Sequence, residues 1–339
     1  MPTTTVSTIS VSVSADYTTL QAWEDAAPAD LTTSIAGGEI WQGEIVLAAD
    51  VFSGSTRMLT MGGSTTDATG YKHLTTASGA SFVDHADVAT NPLRYDSSKG
   101  ASITSSHQEA VLIEEAHSRI SKVQIQTTNT AYAGYALRLN ADAQAHQCIT
   151  SSVGATGTMP FRSIGGIASS IFGEQREAGA TYLVRIESGS EIYNSTFIVP
   201  DDITAATTGV RGGYAASTLK NVAVFGCTNF DSSTAPTCTT CASDGASLPS
   251  GVTSTVYDET TGSGFLDISD ATRDYKLGVT SSLLGSGTYD ATNSPTDIHG
   301  KPFTLSSTSI GCWNHVITSS GGTGNPLSKL FNGPFGGAI

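Results

Sequence analysis

Five stretches in the middle of the chain decide the fold. They are Ile120-Ser-Lys-Val123-Gln-Ile125, Ala145-His-Gln-Cys148-Ile149, Ile167-Ala-Ser-Ser-Ile171-Phe172, Ile192-Tyr-Asn194-Ser-Thr-Phe197-Ile198-Val199 and Leu219-Lys-Asn221-Val-Ala-Val224-Phe225. Their starts fall roughly 22 to 27 residues apart, the period of a solenoid coil. A second short apolar cluster precedes them: Val111-Leu112-Ile113, Ala136-Leu137-Arg138-Leu139, Leu183-Val184-Arg185-Ile186 and Gly209-Val210-Arg211-Gly212. Each coil then supplies two or three short strands that pair with the coils above and below. Alternate residues point inward and stack on their equivalents.

Outward from this repeat the pattern stays extended. Strands of three to five residues, separated by Gly, Ser, Asn and Asp, run from Glu39-Ile40-Trp41 to about residue 317. Turn residues of this kind tolerate left-handed backbone angles. A sandwich would instead use Asn-Gly hairpins between longer strands, and the one Asn-Gly, Asn332-Gly333, lies in the tail. Ahead of the repeat, Val6, Ile9, Val11 and Val13 alternate with Thr and Ser as in a strand. One helix follows, with Asp16 as its expected N-cap and Leu20, Trp23, Ala26 and Ala27 at helical spacing. The expected architecture is all-β: a right-handed parallel β-helix over 36–317, an N-terminal strand and capping helix over 1–35, and an extended C-terminal arm over 318–339.

Only 14% of residues are charged, about half the usual share, and 16 basic residues against 30 acidic give a net charge of −14. A solenoid stacks like on like, so charges in register repel, and Ser, Thr, Asn and Gly take the surface instead. The acidic balance and scattered cations disfavour nucleic acid and anionic membranes as partners. The opening MPTTTVSTIS has no basic n-region and no apolar run of signal-peptide length, so a cytoplasmic origin is expected. The five cysteines, Cys148, Cys227, Cys238, Cys241 and Cys312, are read as reduced structural thiols. Cys238 and Cys241 form a CxxC with Cys227 upstream, but no nearby fourth ligand completes a zinc site. Neither a metal nor a cofactor is expected: there is no HExxH, P-loop or dinucleotide fingerprint.

Two segments carry a family resemblance. Asp16-Tyr17-Thr-Thr-Leu20-Gln-Ala-Trp23-Glu24 is similar to the N-terminal helix of right-handed parallel β-helix proteins of phage virions, of the decoration, spike and tail-fibre type. Ser282-Leu283-Leu284-Gly285-Ser-Gly287-Thr288, Asp297-Ile298-His299-Gly300-Lys301-Pro302 and Ile310-Gly311-Cys312-Trp313 resemble their closing segment, with Cys312 and Asn314 departing from the usual Ala and acid. The resemblance implies a bacteriophage virion structural protein without catalytic function. It would be a homotrimer on the capsid or tail, assembled in the host cytoplasm and bound to major capsid or tail proteins, with host surface glycan as a further partner. The alternatives are a tailspike-type polysaccharide depolymerase and a glycan-binding adhesin, since this fold hosts several activities.

The residues supply candidates for each. A depolymerase needs paired carboxylates. Among Glu114, Glu115, Asp142, Glu187, Glu191, Asp201 and Asp202, the catalytic candidates are Glu115 and Glu187, which follow apolar clusters in comparable places of their coils. Arg138, Arg185 and Arg211 also recur after those clusters and are expected as an outer ladder paired with acids. Trp23, Trp41 and Trp313 read as core, and of the histidines only His117 and His146 fall near the repeat. In the Gly-rich tail, Leu327, Leu330, Phe331, Phe335 and Ile339 are candidate attachment residues, because an exposed linker would not carry five large apolar groups.

Overall fold

In the computed structural model, residues 2–84, 91–131, 134–154, 157–176, 180–187, 189–212, 217–231, 236–269, 271–304 and 308–314 are described. The attachment candidates Leu327, Leu330, Phe331, Phe335 and Ile339 lie outside them. The chain winds into a right-handed parallel β-helix with three stacked parallel sheets. One full coil shows the order: Tyr135–Asn140 in sheet 2, Gln144–His146 in sheet 1, Ile149–Ser152 in sheet 3. Among the described residues sheet 1 has nine strands, from Thr3–Ile9 to Thr237–Thr239. Sheet 2 has seven, from Leu59–Met61 to Cys227–Asp231, and sheet 3 nine, from Val51–Gly54 to Val252–Ser254. The parallel sheets therefore start at Thr3, ahead of the expected 36, and end at Ser254, short of the expected 317.

The core is a set of vertical columns. Ile120, Ala145, Ala168, Ile192 and Leu219 stack inside sheet 1; Val111, Leu137, Phe161, Val184 and Val210 stack inside sheet 2. All ten are at most 2% exposed, and burying each aliphatic side chain contributes about 1.5–3 kcal/mol. Inside sheet 3 the column runs Ile125, Thr150, Gly173, Phe197, Val224. Gly173 makes room for its neighbour, because a Cβ there would sit 2.5 Å from the Phe197 ring.

The corner between sheets 1 and 3 is one left-handed residue, repeated on six successive coils: Lys122, Gln147, Ser170, Asn194, Asn221 and Thr240, with φ between 43° and 60°. Asn suits this conformation because its short side chain bonds locally. Asn221 Nδ2 donates to Asn194 Oδ1 (3.1 Å), so the corner also forms a side-chain ladder.

The helix spans Leu20–Asp25 and is capped by Thr19, whose Oγ1 accepts from Ala22 N (3.1 Å). The expected cap, Asp16, instead accepts from Thr8 N (2.8 Å) and Thr8 Oγ1 (2.9 Å), closing the loop after the first strand. Leu20 and Trp23 are buried on the first coils, and Trp23 lies over Gly43, where no Cβ would fit.

The described residues of 255–314 leave the solenoid and fold back against the outside of sheet 3. Phe265, Ile268, Tyr275, Leu277, Ile298 and Trp313 cover an outward apolar surface made by Ile149, Phe172, Ile198, Ala223 and Phe225. The Asp-Ile-x-Gly-x-Pro motif is a clasp within this segment. The buried Asp297 carboxylate accepts from His299 N and Lys301 N (2.9 Å each) and from Asn314 N (3.2 Å), while Gly300 turns at φ 77°.

Candidate functional site

The outer face of sheet 2 carries four arginines in register. Arg138 pairs with Arg162 across the sheet, Arg162 with Arg185, and Arg185 with Arg211. Coils are about 4.8 Å apart. At an effective dielectric of about 20, neighbouring unit charges at that spacing repel by roughly 3 kcal/mol before solvent screening. Two carboxylates and two phenol rings offset part of this. Glu109 accepts from Arg138 Nη1 (2.6 Å) and from Arg57. Glu187 pairs with Arg162 (3.1 Å) and with Arg185. The Arg162 guanidinium lies 5.0 Å from the Tyr135 ring centroid and Arg211 4.6 Å from that of Tyr182, contacts that hold the planar cations flat. Tyr135 OH accepts from Arg162 Nη1 (3.3 Å) and Arg185 Nη1 (3.5 Å). Although Glu109 is buried, the two guanidinium groups hold its carboxyl below the usual range against the opposing effect of burial.

Arg211 has no carboxylate partner among the described residues. Five of the chain's nine arginines thus gather on one face with two paired acids. The sequence pointed to three members of the column and missed Arg162. Its strand, Met159–Ile164, contains Pro160 and lacks an aliphatic cluster. The available signal was the apolar-Arg step itself: Phe161-Arg162 falls between Leu137-Arg138 and Val184-Arg185 at the coil period.

The second site is a cleft of about 360 Å³ on the outer face of sheet 1, lined by His73, Arg119, Ser121, Gln144, His146 and Ser169 and walled by Thr292, Asn293 and Pro295 of the returning segment. His73 Nε2 lies 2.9 Å from Ser121 Oγ; His146 Nδ1 lies 2.7 Å from Ser169 Oγ and its Nε2 3.3 Å from Thr296 Oγ1. Burial first, then the nearby cations, lowers His73 to about 4. Burial also lowers His146 to about 4. Both rings are neutral at pH 7. Arg119 stacks 3.9 Å from the Tyr71 ring centroid.

The structure does not bring Glu115 and Glu187 together. Glu187 aligns with Ile164, and Ile164 with Asn140, so its coil lies three steps from that of Glu115. Three steps of about 4.8 Å exceed the roughly 5–9.5 Å that spans one glycosidic bond. Glu115 is buried below the helix, where its carboxylate and that of Glu24 accept from Lys72 Nζ (3.1 and 2.5 Å). Burial raises the Glu24 carboxyl. Glu114 and Asp142 are exposed, and Glu191 accepts from Tyr193 OH (2.6 Å). Asp201 and Asp202 line a shallow depression with Asp258 and Glu259.

None of the five cysteines is in a disulfide, and no cluster of three metal-ligating side chains occurs among the described residues. Burial pushes the Cys148, Cys227 and Cys312 thiols up to about 12. A hydrogen bond from Cys238 lowers Cys241. Trp23 and Trp313 are core residues as expected, and Trp41 is partly buried, donating to Trp23 O (3.1 Å).

No protein-family model matches this chain, and no curated protein matches it. Among solved structures, the chain is similar to the crystal structure of Escherichia coli YbhC, with 12% identity over 89% of this chain and 77% of that one and a TM-score of 0.41.

Proposed function

We propose that this chain is a structural component of a bacteriophage virion, a homotrimeric β-helix serving as a capsid decoration, fibre or spike. One observation carries the reading: the segments that resemble phage β-helix proteins are the ones that cover the first coils and one flank of the rod. Leu20 and Trp23 cover its first coils, and the closing segment, folded by the Asp297 clasp, lies along its flank, where Asp297 O accepts from Gln147 Nε2 (3.0 Å). The carboxylates a depolymerase would use are bound elsewhere, Glu115 to Lys72 and Glu187 to two arginines. In this reading the apolar tail residues Leu327, Leu330, Phe331, Phe335 and Ile339 contact major capsid or tail proteins, and assembly takes place in the host cytoplasm.

The test is to label the protein on purified particles and to measure its mass in solution. The expected result is three chains per assembly and label on the capsid or tail. Deleting residues 321–339 is expected to leave a folded trimer that no longer joins particles. Particles without label refute the virion reading, and a deletion variant that still joins them refutes the role of the tail. New reducing ends on capsular or O-antigen glycan, abolished by Glu115→Gln or Glu187→Gln, would replace the structural reading with a depolymerase.

A further inference from the structure

We infer that the arginine column of sheet 2 is a binding strip for a linear acidic polysaccharide, laid along the solenoid axis with its anionic groups over Arg138, Arg162, Arg185 and Arg211. This site does not depend on where the protein is mounted.

Three observations carry it. The first is charge. The face holds five guanidinium groups against the paired acids Glu109 and Glu187 and the exposed Glu114 at its lower corner, on a chain whose net charge is −14. The excess cations are concentrated rather than scattered. The second is geometry. The members of the column are in strand register and recur at the coil spacing of about 4.8 Å. An extended glycan with an acid on every sugar presents charges at a step of that order, and each guanidinium fork suits a carboxylate or sulfate. Phosphates on duplex DNA instead wind around an axis and leave such a column after a short contact. The third is accessibility. The side chains of Arg138, Arg162 and Arg185 keep 24, 14 and 23% of their surface exposed. Tyr135 and Tyr182 lie against Arg162 and Arg211, fixing those guanidinium planes before a ligand arrives.

Binding of the full chain is measured with four probes: alginate, with a carboxylate on every sugar; hyaluronate, with one on every second sugar; neutral dextran; and single-stranded poly-dT. The expected order is alginate above hyaluronate, with no binding of dextran and weaker binding of poly-dT. Alginate affinity falls sharply at about 0.5 M salt, where charges are screened beyond a few ångströms. Arg138→Gln/Arg211→Gln weakens alginate by about tenfold or more, since each substitution removes a charge-assisted contact; its melting temperature is read alongside, because the buried Glu109 is left with Arg57 as its cation. Arg211→Gln alone, which breaks no ion pair among the described residues, weakens it about threefold on the same ground. Glu187→Gln, which frees two arginines, tightens it. Lys99→Gln, which removes an equal charge away from sheet 2, leaves it unchanged.

Equal affinity in the arginine variants, equal loss in Lys99→Gln, tighter binding of poly-dT than of alginate, or no alginate binding overturns the inference. Where the double variant unfolds, Arg211→Gln and Glu187→Gln, with their opposite expected signs, decide it.

Discussion

Sheets 2 and 3 are made by the same coils and stacked by the same columns, yet their outer faces differ. Sheet 3 turns Ile149, Phe172, Ile198 and Phe225 outward, and described residues of 255–314 cover them. Sheet 2 turns Arg138, Arg162, Arg185 and Arg211 outward. The inner columns must match because they share one core; the outer columns are independent of one another. On sheet 3 the outward face adds to stability. On sheet 2 it sets like charges in register, which Glu109, Glu187 and two tyrosine rings offset in part. In a solenoid the information about function therefore lies in outward residues at the coil period.

The largest effect should come from the bond that fastens the covered face. Glu174, on the outside of sheet 3, has no exposed side-chain surface, and Arg273 of the returning segment holds it through Nε (2.9 Å) and Nη2 (3.3 Å). Removing one partner strands a buried charge, so Arg273→Ala should cost about 3–5 kcal/mol in denaturant unfolding. It should also open residues 255–314 to proteolysis. A loss below about 1 kcal/mol would mean that the returning segment is not coupled to the rod.

The seam between that segment and sheet 1 supplies the next effect. His73 and His146 stay neutral in the fold down to about pH 4 but bind protons near 6.5 when unfolded. Their contribution is complete above about 6.5 and is lost as pH falls toward 4, by on the order of 2–3 kcal/mol for each ring. Asp297 acts in the opposite direction. Burial raises its carboxyl to about 6, so its contribution is complete below about 4 and is lost as pH rises through 6. With two rings against one carboxyl, stability should decline from pH 6 to 4. His73→Gln/His146→Gln should reverse the sign of that slope, as read from denaturant midpoints across the range. An unchanged slope would show that the rings do not govern it.

The inner columns were legible in the sequence because they repeat one residue class at one period: Ile120, Ala145, Ile192 and Leu219 announce sheet 1 by themselves. Sheet 2 was three-quarters visible at Arg138, Arg185 and Arg211. It broke at Arg162, where Pro160 and Phe161 replaced the aliphatic signal. The left-handed corner was readable at Asn194 and Asn221 but not at Lys122, Gln147 or Thr240, residues that take this backbone only because the coil imposes it. The partners of Glu115 were hidden for another reason. Lys72 and Glu24 lie 43 and 48 residues from their contacts, and no period relates the helix to the coils. His73 and Arg119 likewise became neighbours of His146 only through stacking.

The smallest effect tests the bare face directly. Arg211 stacks on Tyr182 and makes no ion pair among the described residues. A partly exposed contact of this kind is worth about 0.5–1 kcal/mol, and removing Arg211 also removes repulsion from Arg185 one coil below. These terms oppose each other, so Arg211→Gln should shift the unfolding free energy by less than about 0.5 kcal/mol, several-fold below the Arg273→Ala effect. A gain would mean that repulsion dominates and that the column is held against its own charge. A loss above about 2 kcal/mol would make the ladder a structural brace, and the distinction between the two faces would fail, because both would then stabilise the rod.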